Sequence, residues 1–368
     1  MTETADVVIV GGGAMGTSIA YHLTELGITD VVLLEREELA SGSTSKSAGG
    51  IRTQFADELN IRIALRSLAE FASFEERHGV EIDFRQSGYL FLLDAEPDLA
   101  RFRQALALQN SLGVPSRELA PAEAAELVPQ LETGDLLAAT FCRLDGYATP
   151  EGVVRGYAAS AARRGVRIRQ RARVEGIRFA NGRIAAVATT TGTVATSTVV
   201  CAAGAWSREV GALAGVEIPV EGERRWMHYT PEAPGLPDAL PLTIDFSSGF
   251  YFHREGPGLV FGGREESVED LAAPATKRLP VLADLPVQAS WWGFYEVSPD
   301  WNAIVGAAAE PDGFFYATGF SGHGFQQSPA VGEHVAELVA GRTPTLDLSA
   351  FSLERFARGE LRREQFVI

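Results

Sequence analysis

The run Val7-Val8-Ile9-Val10 is apolar at every position, the pattern of a parallel strand buried on both faces. Ile19, Ala20, Leu23 and Leu26 then recur at helical spacing, and Gly27 supplies a stop. Val31-Val32-Leu33-Leu34 reads as a second buried strand, ending in Glu35. Leu59, Ile63, Leu68, Phe71 and Phe74 form the apolar stripe of one helix over 56–78. Residues 87–93 read as a strand, and 96–127 as helical pieces broken at Pro115, Pro121 and Pro129. Thr149-Pro150-Glu151-Gly152 opens a helix reaching 164. Asn181-Gly182, between strands at 173–177 and 184–190, predicts a hairpin. Residues 198–201 are another buried strand, running into a glycine turn and a helix. Residues 217–300 read mostly as strands, with aromatics alternating around Tyr251, and predict an antiparallel pocket wall. Short strands at 302–308 and 314–317 precede a helix over about 326–340.

Chemistry concentrates in the loops between these elements. Gly11-Gly12-Gly13-Ala14-Met15-Gly16 follows the first strand as a G-x-G-x-x-G. Gly11 allows the tight turn, Gly13 lets a pyrophosphate approach the backbone, and Gly16 lets helix and strand pack closely. The helix N-terminus offers free N–H groups and a positive dipole end. Glu35, nineteen residues after Gly16, is placed to accept hydrogen bonds from a ribose diol. Strand, helix, second strand and terminal acid together predict dinucleotide binding. Residues 37–54 are rich in small residues, which let backbone approach a flat or charged ligand. The turn at Ala203-Gly204-Ala205-Trp206 brings a second backbone loop toward the same ligand.

Composition narrows the class. A chain of 368 residues supports a large core and two domains. A net charge of −16 argues against nucleic acid and anionic membranes as partners. No apolar run approaches the ~20 residues of a membrane helix. Met1–Asp6 is too short and acidic for a signal peptide, so a cytoplasmic location is expected. Cys142 and Cys201 are far apart and lack a metal-ligand spacing; no metal site and two reduced thiols are expected. With 30 Arg against two Lys, an arginine by itself says little.

At Gly319-Phe320-Ser321-Gly322-His323-Gly324-Phe325 the pieces become recognisable together. The chain resembles the D-amino-acid-oxidase superfamily of flavoproteins, in its sarcosine oxidase, dimethylglycine dehydrogenase and proline dehydrogenase β-subunit branch. The motifs are Val10–Gly16, Gly42-Ser43-Thr44-Ser45, Ala48-Gly49-Gly50-Ile51-Arg52, Ala202–Trp206, Tyr295-Glu296-Val297-Ser298-Pro299-Asp300 and Gly319–Phe325. The resemblance implies an α/β fold: a discontinuous Rossmann-like FAD-binding domain of the glutathione-reductase type, with a mixed or antiparallel-sheet substrate domain. Segments 1–85, 145–215 and 300–368 would build the first, and 86–144 and 216–299 the second. It implies hydride transfer from a C–H beside an amine nitrogen to flavin N5, giving an imine that hydrolyses. Two alternatives stay open: a FAD-binding β-type subunit of a heteromeric dehydrogenase working with a partner subunit, and 2-hydroxy-acid oxidation.

By the same resemblance, FAD contacts fall on Gly11, Gly13, Ala14, Met15 and Gly16, then on Glu35 and Arg36. Ser43, Thr44, Ser45, Lys46, Ala48, Gly49 and Gly50 follow, with Val174, Ala203, Gly204 and Trp206. Gly319, Gly322, His323, Gly324, Phe325 and Gln326 complete the set. Arg52 matches a carboxylate-binding position, suited to a two-point grip on the substrate. Arg264, ending a strand of the pocket wall, is expected to assist it. Tyr251 would lie over the substrate, and His323 would contact flavin. Departures from the family pattern matter. Gly293 stands where a tethering Cys occurs, and Ser45-Lys46-Ser47 lacks the tethering His, so non-covalent FAD is expected. Gln326 replaces a carboxylate-pairing Lys, and Val260 an oxygen-activating one. A small carboxylate-bearing amine is the expected substrate, with O2 or a quinone or dye as acceptor.

Overall fold

Val7–Val10 pairs in parallel with Val31–Leu34 on one side and Val199–Cys201 on the other. The computed structural model describes residues 3–265 and 267–367; Met1, Thr2, Glu266 and Ile368 lie outside the described residues. The central sheet runs Ile304–Ala307, Phe314–Thr318, Val199–Cys201, Val7–Val10, Val31–Leu34, Arg167–Arg169, and only its Ile304–Ala307 edge is antiparallel. Its strands are apolar throughout because each face meets a different layer. Val7, Ile9, Val31 and Leu33 pack with the helices Ala14–Glu25, Pro150–Arg163 and Gly324–Val339. Val8, Val10, Val32 and Leu34 pack against a four-stranded sheet that includes Val174–Ala180 and Arg183–Thr189. Those two strands form the expected hairpin, with Asn181 and Gly182 both at positive φ.

A second sheet has eight strands. Its order is Ala289–Val297, Glu221–Thr230, Gly258–Gly262, Tyr251–Glu255, Leu242–Asp245, Tyr89–Leu93, Ala138–Cys142, Arg117–Leu119. All pairs are antiparallel except Leu242–Asp245 with Tyr89–Leu93. The result is the mixed α/β architecture expected.

Three local expectations are corrected. The helix over 56–78 is two, Glu58–Ala72 and Phe74–His78. At the break, the Ser73 hydroxyl donates back to the Ala69 and Glu70 carbonyls, satisfying the end of the first helix. Between the helices Glu96–Ser111 and Pro121–Leu127 lies the edge strand Arg117–Leu119, too short to show an alternation. Within 217–300, Val268–Arg278 is a helix, capped where Ser267 Oγ accepts from Asp270 N at 3.1 Å.

The Ser298-Pro299-Asp300 turn is fixed by a buried ion pair. Arg355 Nε and Nη2 each donate to an Asp300 oxygen at 2.8 Å, and both side chains are essentially inaccessible. Burial alone would raise the Asp300 carboxyl; the hydrogen bonds and charge of Arg355 outweigh it and hold the group below the ordinary aspartate value. Arg355→Met is expected to cost about 3–5 kcal/mol, because Asp300 is left as an uncompensated buried charge. Chemical denaturation at pH 7 measures this. A folded-state value below the unfolded one gives stability that is full at neutral pH and is lost as pH falls through the acidic range. The gap between wild type and variant should therefore narrow on acidification.

Candidate functional site

One cavity of about 1250 Å³ opens between the two large sheets, above the ~300–1,000 Å³ of ordinary small-molecule pockets. The turn after Val10 reaches it first. A Cβ at Gly16 would collide with the Gly11 carbonyl, so only glycine lets the helix start so close to the turn. The second loop docks on the first where Thr44 Oγ1 accepts from Ala14 N at 3.2 Å. Glu35 turns its carboxylate inward: Oε2 accepts from Gly12 N at 2.7 Å and Oε1 from Glu37 N at 2.8 Å. Arg36 stacks on Trp206, 3.6 Å from the ring centroid, joining the strand end to the third loop. Gly322, His323 and Gly324 stand at the start of a 16-residue helix. Four backbone segments and one acid at a strand end thus face one space. That donor set fits a dinucleotide.

Most residues named from the sequence line this space: Gly11, Gly13, Ala14, Met15, Glu35, Arg36, Ser43, Thr44, Lys46, Ala48 and Gly50 from the first part of the chain. Val174, Ala203, Gly204, Trp206, Gly322, Gly324 and Phe325 join them, as do Arg52, Tyr251, His323 and Gln326. Gly16, Ser45, Gly49 and Gly319 do not line it; they shape the loops from behind. Gly49 O accepts from Ala148 N, for example, and Gly319 N donates to Glu296 Oε2 at 3.2 Å. Arg264 is a correction. It is exposed, lies outside the cavity lining, and donates to the Ser247 carbonyl at 3.3 Å. Its strand ends at Gly262, and the chain then turns toward the helix Val268–Arg278.

Arg52 is buried, and among the described residues no carboxylate lies within ion-pair distance of it. Neutral acceptors hold it instead. Nη1 donates to Gln54 O; Nη2 donates to Phe366 O at 2.6 Å and to His323 Nε2 at 2.9 Å. The guanidinium lies 4.1 Å over the Phe55 ring. Every two-donor edge of a guanidinium includes Nη2, so the two-point grip expected of Arg52 is not free in this arrangement. Because arginine can only donate, His323 Nε2 is the unprotonated nitrogen. Burial, then the Arg52 charge, pushes the His323 pKa far below its ordinary value, so the ring stays neutral. Gln326 supports the same residue: its Oε1 accepts from Arg52 N at 2.8 Å. Behind it, Asp145 accepts from Thr53 N at 2.8 Å and Thr53 Oγ1 at 2.6 Å.

Residues that the sequence reading left unassigned complete the wall. Tyr89 and Tyr295 join Tyr251, whose hydroxyl donates to Met227 Sδ at 2.7 Å. Arg225 lies 5.1 Å from the Tyr295 ring, and its buried Nε has no protein acceptor. Burial raises the Tyr295 phenol, and the charges of Arg225 and Arg52 oppose that rise. The signal was present, since Arg225 alternates with Met227 on one face of Glu221–Thr230. Gly293, opposite Arg225, has room for no side chain: a Cβ would come 2.6 Å from Lys46 Cβ. Phe366 gave no periodic signal at all.

The family model for FAD dependent oxidoreductases (DAO) matches residues 6–338. Over 97% of its length the chain is 29% identical to mitochondrial sarcosine dehydrogenase of Mus musculus, of which it spans 42%. Over its full length it is 34% identical to FAD-dependent oxidoreductase domain-containing protein 1 of Xenopus laevis, spanning 85% of that protein. The crystal structure of L-proline dehydrogenase from P. horikoshii superimposes with a TM-score of 0.92 at 34% identity, covering 98% of this chain and 100% of that one. Glycine oxidase from Geobacillus kaustophilus gives 0.86 at 27%, covering 96% and 99%. Among the described residues no helix is long and apolar enough to cross a membrane.

Glu296 gives a pH test of this cavity wall. Desolvation pushes its carboxyl up to about 7, against hydrogen bonds from Thr318 Oγ1 at 2.8 Å and Gly319 N. A folded-state value above the unfolded one makes stability fall as pH rises from about 4.5 to 7, then level off. Glu296→Gln should abolish that slope and stabilise the protein by roughly 1–2 kcal/mol at pH 8 but not at pH 4.5. Thermal melts at the two pH values check it; an equal shift at both would refute the assignment.

Proposed function

Because the chain belongs to the DAO family of FAD-dependent oxidoreductases, we propose that it oxidises the C–N bond of a small amino acid or N-substituted amino acid with a free carboxylate. The reaction removes a hydride from the carbon beside the nitrogen and leaves an imine, which water hydrolyses. FAD supplies the hydride acceptor, at N5. Gly11, Gly13, Glu35, Thr44 and Gly204 would hold its dinucleotide part. The observation that carries the reading is Arg52: a buried cation with no carboxylate within ion-pair distance among the described residues, in the same cavity as the glycine loops.

Each residue's part follows from its chemistry. Arg52 draws in the carboxylate and so aligns the reacting C–H. Arg225 replaces Arg264 as the second cation of the site. The N–H groups at the start of Gly324–Val339 favour negative charge beside them. His323 cannot take a proton readily, since Nε2 already accepts from Arg52. Oxidation of an amine needs no base to deprotonate an alcohol, and the reading takes an amine over a 2-hydroxy acid. Among the described residues no cysteine lines the cavity, and Ser45-Lys46-Ser47 offers no histidine, which supports non-covalent FAD. Val260 is buried and apolar, which favours a quinone or dye over O2 as acceptor. Residence in the cytoplasm belongs to the same proposal; the alternative is a FAD-binding β-type subunit that works through a partner subunit.

Anaerobic mixing with amino, N-methylamino and hydroxy acids should bleach the flavin with one of the first two classes. Failure of all of them would sink the reading. Arg52→Met should lower kcat/KM by about 10- to 150-fold, with part of the loss in kcat, and should leave turnover of the carboxamide analogue unchanged. Acid precipitation should release all the flavin into the supernatant; a yellow pellet would overturn the non-covalent assignment.

A further inference from the structure

Residues 362–367 belong to none of the sequence motifs, yet Phe366 and Val367 line the cavity. Their path is set by the Asp300 turn. Arg362 N donates to Asp300 Oδ2 at 3.2 Å, Glu364 N donates to Asp300 O at 3.1 Å, and Asn302 Nδ2 donates to Arg362 O. The buried Glu364 carboxylate then accepts from Asn60 Nδ2 at 3.1 Å and from Phe366 N at 2.9 Å. Phe366 is thereby pressed flat on Phe102, with ring centroids 3.9 Å apart and planes 11° apart. In that position its carbonyl meets Arg52 Nη2 at 2.6 Å.

We propose that the Phe366 carbonyl is a specificity-determining group: it occupies the Arg52 donor that a substrate carboxylate would need for a two-point grip. A backbone oxygen thus stands where one oxygen of a carboxylate would otherwise sit. Arg52 keeps only Nε and one Nη1 hydrogen for a ligand, so it holds a carboxylate at one point. The benefit is physical. A buried guanidinium with unfilled donors is costly and takes up any small anion, whereas a neutral carbonyl satisfies it without cancelling its charge. Carboxylate affinity is thereby kept low until other contacts of the substrate add to it.

This inference rests on the reading of Arg52 as the carboxylate-holding residue, and the test separates the two. The FAD-loaded protein is titrated with pyrrole-2-carboxylate and with pyrrole-2-carboxamide, following the flavin absorbance. Three forms are compared with wild type: a chain ending at Glu364, Phe366→Ala, and Phe366→Pro. Ending the chain at Glu364 removes the carbonyl, and Phe366→Pro removes the N–H that Glu364 holds and so unseats the carbonyl from Arg52. Both should bind the carboxylate about 5- to 100-fold more tightly, with carboxamide affinity unchanged. Phe366→Ala keeps the N–H and the carbonyl and should retain wild-type carboxylate affinity. If the shortened chain does not retain FAD, Phe366→Pro carries the test. Carboxylate affinity unchanged or weaker in the form that carries the test overturns this inference alone. A wild type that does not prefer the carboxylate over the carboxamide overturns the Arg52 reading and this inference with it.

Discussion

Burying the Arg52 guanidinium with no carboxylate within ion-pair distance among the described residues leaves its N–H donors to be met by neutral groups. The cavity meets three of them. Gln54 O comes from the same loop, His323 from the start of the last long helix, and Phe366 O from a segment more than three hundred residues away. Each acceptor needs an anchor of its own. Asp145 fixes the Thr53-Gln54 backbone, the Gly322 turn fixes His323, and the Asp300–Arg355 pair fixes the path to Phe366. A single unpaired charge therefore requires order in three distant parts of the chain.

The same arrangement divides labour between the two sheets. The parallel sheet ends in loops whose backbone N–H groups suit phosphates and other anions. The eight-stranded sheet presents side chains: Tyr89, Tyr251, Tyr295, Arg225. Family membership accounts for the first set. Arg52 is supported from outside that sheet, where Gln326 in the helix Gly324–Val339 accepts from its backbone N–H.

What was legible in the sequence follows from this division. Val7–Val10 and Val31–Leu34 were readable because both faces of each strand meet apolar layers, leaving no polar position to blur the pattern. The glycine loops were readable because close backbone approach leaves a compositional trace. Arg264 was misplaced because the end of a strand does not reveal which way the chain turns next. Arg225 was passed over in a strand whose exposed and enclosed positions both carry arginine. The helix Val268–Arg278 was hidden among strands, although Ser267 and Asp270 form a recognisable cap. Phe366 was invisible, since its role depends on partners remote in sequence and not on any local period.

The order of the central sheet also governs when the protein can exist at all. Val199–Cys201 lies between Val7–Val10 and Phe314–Thr318, so the sheet's first strand waits for a neighbour made about 190 residues later, and that neighbour for one made later still. During synthesis the central sheet stays incomplete until residue 318 is made. Val7–Val10 keeps an open edge on the side away from Val31–Leu34 until Val199–Cys201 is made, and Val199–Cys201 then carries one until Phe314–Thr318 is made. Completion of the sheet is thus a late event in the making of the chain.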